Sequence, residues 1–97
     1  MNIKIFKLVS GEEIITKVLE DSSLQAYIVI EKPRSIQPVP QGPNQFGIGL
    51  LPYIITNAEG QIKLYKTAIS GECDAPSDVE KVYLQQTTNI QIASSLM

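Results

Sequence analysis

Short runs of β-branched and aromatic residues, separated by turn residues, dominate the first third of the chain. Residues 2–9 (NIKIFKLV) and 13–19 (EIITKVL) flank Ser10-Gly11-Glu12, a pattern that predicts two strands joined by a tight turn. After a second turn, residues 24–30 (LQAYIVI) have the composition of a third strand. The pattern therefore predicts a mainly β fold built from hairpins.

The middle of the chain is rich in proline and glycine. Pro33 is expected to end regular pairing or to confine it to a sheet edge, because proline has no N–H to donate. The composition of residues 33–47 predicts a long loop or an extended hairpin arm. Residues 46–55 and 62–69 are the fourth and fifth predicted strands, which gives five in all.

Neither face of the predicted strands is cleanly polar. In the third strand Ile28 and Ile30 point one way, while Tyr27 and Val29 point the other way. Strands that are apolar on both faces need a closed barrel, a covering helix or a neighbouring subunit. Of these alternatives we favour a small barrel, over about residues 1–72, together with a neighbouring subunit.

One helix is predicted, over about residues 77–90. Ser77-Asp78-Val79-Glu80 fits a capping box, and apolar residues follow it at helical spacing. Residues 90–97 alternate at first, which predicts an added strand or a segment that docks on a neighbour. All 97 residues then belong to one domain, a barrel followed by a helix.

The composition argues against catalysis and against a metal centre. The chain has no histidine, which removes the commonest general base near neutral pH and the commonest zinc ligand. Cys73 is the only cysteine, and it lies between Glu72 and Asp74, whose charges disfavour a thiolate. No glycine-rich phosphate loop is present. We therefore expect a protein that is not an enzyme and needs no cofactor or metal.

Charge and hydropathy narrow the partners further. The net charge is −2, and residues 70–97 hold four acidic residues against Lys81 alone, so a broad basic surface for duplex DNA is not expected. No apolar run is long enough to span a bilayer, and the first residues lack a signal-peptide core. The expected location is the cytoplasm.

The first three predicted strands resemble the Sm/LSm domain. The segment from Leu8 to Val18 has the glycine turn that opens the second strand, Asp21-Ser22-Ser23-Leu24-Gln25 stands where that family has an Asp-x-x-Met-Asn-type loop, and Ile69-Ser70-Gly71 stands in the place of an apolar residue followed by Arg-Gly. Over its whole length the chain is similar to the Sm-like proteins of marine phages (cyanophage type). The resemblance implies a bent five-stranded antiparallel Sm-like (SH3-type) barrel, whose edge strands pair between subunits into a homo-oligomeric ring.

The same resemblance implies a site for single-stranded RNA near the ring pore. Leu24 takes the position that stacks on a base, Gln25 the position that reads the base edge, and Asp21 the position that orients the loop, while Ser70 and Gly71 replace Arg-Gly. Leu24 has no π face and Ser70 no guanidinium, so the site is weakened or lost relative to the family. A core position for Leu24 is the alternative, and it is the one that we favour over a base contact.

Two functions follow as expectations. The first is a ring without enzymatic turnover that holds single-stranded RNA in phage-related RNA metabolism or regulation, in the host cytoplasm if a phage encodes it. The alternative is a ring-shaped scaffold or assembly factor that contacts protein partners through the proline-rich arm at residues 36–45 and has lost RNA binding.

Overall fold

The computed structural model describes residues 2–88, which form six strands and one α-helix. The strands and helix have these bounds: β1 Ile3–Leu8, β2 Glu13–Glu20, β3 Tyr27–Gly42, β4 Gln45–Pro52, β5 Gln61–Tyr65, β6 Ile69–Asp74 and α1 Ser77–Thr87. Short 3-10 turns cover Ile55–Asn57 and Lys66–Ala68. The prediction of a mainly β protein with a C-terminal helix is confirmed.

The strands are all antiparallel and form one bent sheet in the order β4-β3-β2-β1-β6. β5 lies off this path and pairs with the first half of β3, whereas β4 pairs with the second half. Among the described residues β5 and β6 do not pair with each other, so the sheet stays open. An open sheet of this shape is compatible with a small bent barrel.

The predicted number of five strands is wrong by one. Residues 62–69 are not one strand, because the chain leaves the ladder at Lys66–Ala68 and starts a new strand, β6, at Ile69. β6 pairs with β1, a partner far away in sequence that periodicity alone does not reveal. The predicted barrel boundary near residue 72 therefore falls inside β6.

The expectation that regular pairing ends or moves to an edge at Pro33 is also wrong. β3 runs through this residue, which is buried, and its pairing with β2 continues on both sides. Lys32 has a φ of 53°, and the register shifts between Ile15 and Lys17, so the strand carries an irregularity just before the proline. β3 is therefore one continuous strand that pairs with β5 in its first half and with β4 in its second half.

Both faces of β2 are buried within a single chain. Ile14 packs in one hydrophobic cluster and Ile15 in another, and each is 0% exposed. The second cluster contains Tyr83 from α1, so the helix covers this face of the sheet. A covering helix, one of the three alternatives that the sequence left open, supplies this burial without a neighbouring subunit.

The helix begins at Ser77 as predicted but not with a capping box. Its N-cap is Pro76 and makes no side-chain cap hydrogen bond; instead Asp78 Oδ1 accepts from the N–H of Val79 at 3.0 Å. The helix ends at Thr87, and the predicted end at residue 90 and the tail at 90–97 lie outside the described residues. No helix in this described part of the chain has the length and apolarity needed to cross a bilayer.

Hydrogen bonds of Tyr83 link α1 to β2 and to the irregular part of β3. Its hydroxyl accepts from the N–H of Lys17 at 3.2 Å and lies 2.9 Å from the carbonyl oxygen of Lys32, to which it can donate. Burial raises the pKa of the Tyr83 hydroxyl to about 12. The phenol is therefore held in its neutral, donating form.

Arg34 is the second residue whose polar contacts hold α1 against the sheet, and its side chain is buried, with 3% of the residue exposed. Its guanidinium donates to Gln86 Oε1 at 2.8 Å, to the carbonyl oxygen of Ala58 at 2.8 Å and to Glu59 Oε1 at 2.7 Å. These bonds tie β3 to the end of α1 and to the turn before β5. Planar, multi-donor arginine suits such a junction better than lysine.

Candidate nucleic-acid interface

The loop between β2 and β3 holds three of the predicted site residues. Asp21, Leu24 and Gln25 are exposed, and Leu24 is 91% exposed. The loop is shaped by its own serine, because Ser22 Oγ accepts from the N–H of Leu24 at 3.1 Å and the Ser22 carbonyl accepts from that of Gln25 at 3.2 Å. The alternative of Leu24 as a core residue is wrong, since β3 begins only at Tyr27.

Lys66 anchors this loop from the 3-10 turn after β5. Its Nζ donates to the Ser22 carbonyl at 2.8 Å and lies 3.8 Å from Asp21 Oδ1, and its N–H donates to the carbonyl of Ala26 at 2.9 Å. Sequence reasoning missed Lys66, because the 3-10 turn brings it to the loop only after β5 has paired with β3.

An aromatic pair lies beside the loop. Tyr27 and Tyr65 are directly opposite in the β3–β5 ladder, with ring centroids 5.8 Å apart and ring planes at 66°. The Lys63 Nζ lies 4.8 Å from the centroid of the Tyr27 ring, within the range of a cation–π contact. Tyr65 is 54% exposed, so its ring is available to a ligand. Only the strand register, which the sequence did not yield, brings these side chains together.

Two grooves meet at Asp21. The first has a volume of about 420 Å³, and its lining comes from the end of β2, the loop and the start of β3: Glu20, Asp21, Ser22, Gln25, Tyr27 and Val29. The second, of about 210 Å³, runs towards β6 and has this lining: Phe6, Asp21, Ile28, Lys66, Ile69 and Glu72. Gln25 and Tyr27 thus share a groove in which an amide and an aromatic ring are both available to a ligand.

Ser70 and Gly71, the remaining predicted site residues, line neither groove. The Ser70 hydroxyl donates to the carbonyl of Lys7 at 3.1 Å, and Gly71 is opposite Lys7 in the β1–β6 ladder. The structure therefore unites Asp21 and Gln25 in one groove, with Leu24 exposed on the same loop, and leaves Ser70 and Gly71 on β6.

The charges around the grooves nearly balance. Glu20, Asp21 and Glu72 line the grooves, Glu72 is paired with Lys4 at 3.1 Å, Lys66 donates to the loop, and the Lys63 amine lies over the Tyr27 ring. Such a surface gives little general attraction for phosphate, so a ligand would gain its affinity from stacking and amide hydrogen bonds. Across residues 2–88, no three side chains of His, Cys, Asp or Glu converge as metal ligands.

Comparison with known proteins adds no assignment to this geometry. No family model matches the chain, and a search of curated proteins finds no match either.

Proposed function

We propose that this chain is a non-enzymatic Sm-like protein that forms a homo-oligomeric ring and binds single-stranded RNA at the β2–β3 loop. The observation that carries the proposal is the exposed Tyr65 ring, whose partner Tyr27 lines the same groove as Gln25. Aromatic faces and a neighbouring amide are the groups with which proteins stack on and read unpaired bases.

The tyrosine pair compensates for what the loop itself lacks. Leu24 stands in the stacking position of the resemblance without a π face, but the adjacent strands supply two aromatic rings. In this mechanism a base stacks on Tyr65, the Gln25 amide contacts the edge of the base, and Lys63, whose Nζ lies 4.8 Å from the centroid of the Tyr27 ring, contacts a phosphate. Asp21 and Lys66 keep the loop in place through their ion pair.

The ring is supported by the pairing pattern of β5 and β6. Within the described residues β5 pairs only with β3 and β6 only with β1, so each has one unpaired edge. Edge strands that pair between subunits close a sheet and hide such edges. In the proposed ring, β5 of one subunit pairs with β6 of the next.

The test is a fluorescence anisotropy titration with labelled U-rich and A-rich RNA oligonucleotides at low salt. Loss of one base stack is worth about 1–3 kcal/mol, so Tyr65→Ala should weaken binding by about 5-fold to 150-fold. Tyr65→Phe is the matched control and should bind as well as the unchanged chain, because it keeps the ring face. Failure of the unchanged chain to bind either oligonucleotide would reject the RNA function.

A second candidate function is a scaffold that binds protein through the arm. The observation that favours it is the absence of any charged residue from Ser35 to Ala58, which leaves the arm without a group to attract phosphate. To test it, residues 40–46 are replaced by Asn-Gly, which closes the hairpin at the hydrogen-bonded Val39–Gly47 pair. This variant should keep RNA binding and lose capture of a partner protein. Loss of RNA binding with capture of the partner retained would reject the scaffold function.

A further inference from the structure

The outer edge of β4 differs from the edges of β5 and β6 because it carries no charge. β5 is five residues long and bears Lys63, and β6 bears Glu72 and Asp74, whereas β4 has eight residues, no charge and a proline only at its last position, Pro52. Charges, prolines and short length limit which strands can pair with an edge, and opposite charges such as those of β5 and β6 still allow these two strands to pair with each other. No described strand pairs with this outer edge of β4. An uncharged, regular edge of this kind is built to accept another strand.

The prolines of the arm settle which main-chain groups face outwards. Pro38 is opposite Ile48 and Pro40 is opposite Phe46 in the β3–β4 ladder. Since proline has no N–H, both pairs must be non-hydrogen-bonded pairs. In such a pair the main-chain N–H and C=O groups point away from the partner strand. The prolines therefore block the other edge of β3, while the N–H and C=O groups of Phe46 and Ile48 point out from β4.

Leu50 gives an independent check on this assignment. It is the next residue of the same parity, opposite Ile36, so its carbonyl should also face outwards. The Gln86 amide donates to that carbonyl at 3.1 Å. The Gln86 side chain of α1 therefore binds the outward carbonyl of Leu50. It leaves the outward main-chain groups of Phe46 and Ile48 for a partner strand.

One face of the arm continues the hydrophobic core into solvent. Opposite residues in the ladder share a face, and three successive pairs on this face are wholly apolar: Ile36 with Leu50, Pro38 with Ile48, and Pro40 with Phe46. Leu50 is buried in the cluster beneath α1, but Ile48 is 40% exposed and Phe46 is 71% exposed. The outer half of this apolar stripe is therefore exposed to solvent and could be buried by a partner.

We propose that β4 pairs edge to edge and antiparallel with β4 of a second copy, about a two-fold axis at Gly47. In this register Phe46 of each copy exchanges both main-chain hydrogen bonds with Ile48 of the other. The apolar stripes of the two arms join into one face. The contact lies beyond the ring proposed above, which uses β5 and β6, and it would link two rings as readily as two single chains.

A second copy fits this edge better than an unrelated strand because the edge is complementary to itself. With no charge between Ser35 and Ala58, two copies meet without repulsion and neither needs an ion pair from its partner. A two-fold contact also buries the same patch on both copies, as isologous interfaces do.

The first test is the mass of the assembly by sedimentation velocity over a range of concentrations. Ile48→Pro removes the outward N–H without touching the β3–β4 ladder, and Ile48→Val is the matched control that keeps it. The proline variant should have half the mass of the unchanged chain, whatever the size of any ring, and the valine variant the full mass. Equal masses for the proline variant and the unchanged chain would overturn the proposal, provided circular dichroism shows the same fold.

The second test locates the axis. In a Cys73→Ser background, Gly47→Cys should form a disulfide-linked dimer on mild oxidation, because opposite residues at a two-fold axis lie within disulfide reach. Gln45→Cys is the control and should stay unlinked, since its copies would be four residues out of register. A chain that associates but links at position 45 and not at 47 would refute the axis.

Other occupants of the edge give different results. If the unchanged chain keeps a single mass and deletion of residues 89–97 doubles it, the tail covers β4 within one chain and the proposal fails. If the mass stays single with and without these residues while another protein binds the arm, the scaffold function holds and self-pairing does not. RNA binding is measured separately, so its failure would leave the mass result intact.

Discussion

The two ends of β3 carry opposite kinds of surface. At the first end, one ion pair and two hydrogen bonds from Lys66 hold the loop, and the Lys63 amine lies over Tyr27. At the second end, the arm has no charge, and its exposed side chains include the apolar Val39, Phe46 and Ile48. One strand thus has a polar loop held by side-chain contacts at one end and an uncharged edge at the other.

The two ends are kept in a fixed relation by the junction in the middle of β3. There Arg34 and Tyr83 bind the irregular stretch at Lys32 to the helix and to the turn before β5. If this junction is disrupted, the loop at the first end and the arm at the second end should both lose their order. If a change is confined to one end, the other end should be unaffected.

The largest expected effect comes from breaking the junction with Arg34→Ala. The substitution removes several charge-assisted hydrogen bonds from a buried group and leaves the Ala58 carbonyl and the Gln86 amide without their donor. We expect the free energy of unfolding to fall by about 3 kcal/mol, the lower end for a broken buried pair because Glu59 is exposed to water. Urea unfolding measures it.

Arg34→Lys is the control for charge alone. An ammonium group cannot reproduce the planar set of donors, so this variant should recover only part of the lost stability. Full recovery would mean that the charge, and not the fork of hydrogen bonds, holds the junction.

A smaller, pH-dependent effect is expected at Tyr83. Tyr83→Phe should lower the free energy of unfolding by about 1–3 kcal/mol at pH 7, because the carbonyl of Lys32 and the N–H of Lys17 lose a partner. The folded-state pKa of about 12 lies above the ordinary value of 10.0. The unfolded chain therefore loses its phenolic proton first.

The sign of the pH effect follows from that order. The contribution of the neutral phenol is complete below pH 10 and is lost as the pH rises from 10 to 12, by about 2–3 kcal/mol. The difference between the unchanged chain and Tyr83→Phe should therefore shrink over this range. A difference that stays constant from pH 9 to pH 12 would show that the hydroxyl is not buried as described.

The smallest effect on folding is expected at the tip of the arm. Phe46→Ser replaces a side chain that is 71% exposed, so the free energy of unfolding of the single chain should change by no more than about 0.5 kcal/mol. Its effect should fall instead on association, measured by sedimentation, while RNA affinity stays the same. A large loss of stability in the dilute single chain would show that Phe46 serves folding rather than contact.

Part of the architecture was predictable because local chemistry controls it. The β1–β2 turn, with Gly11 at a φ of 96°, and the start of α1 at Ser77 are where the sequence placed them. The candidate site was less accessible to sequence reasoning. The resemblance placed Asp21, Leu24 and Gln25 on one loop, but Lys66, Tyr27 and Tyr65 join them only through the pairing of β5 with β3.

By itself the sequence determined the mainly β class, the C-terminal helix and the lack of histidine chemistry, because residue preferences and composition act within a few positions. Tertiary structure alone decided that β3 passes through Pro33 and that residues 62–69 divide into two strands. It also decided that α1 buries the second face of β2. These outcomes depend on contacts between distant residues, whose free energy exceeds local preference only once the sheet has assembled.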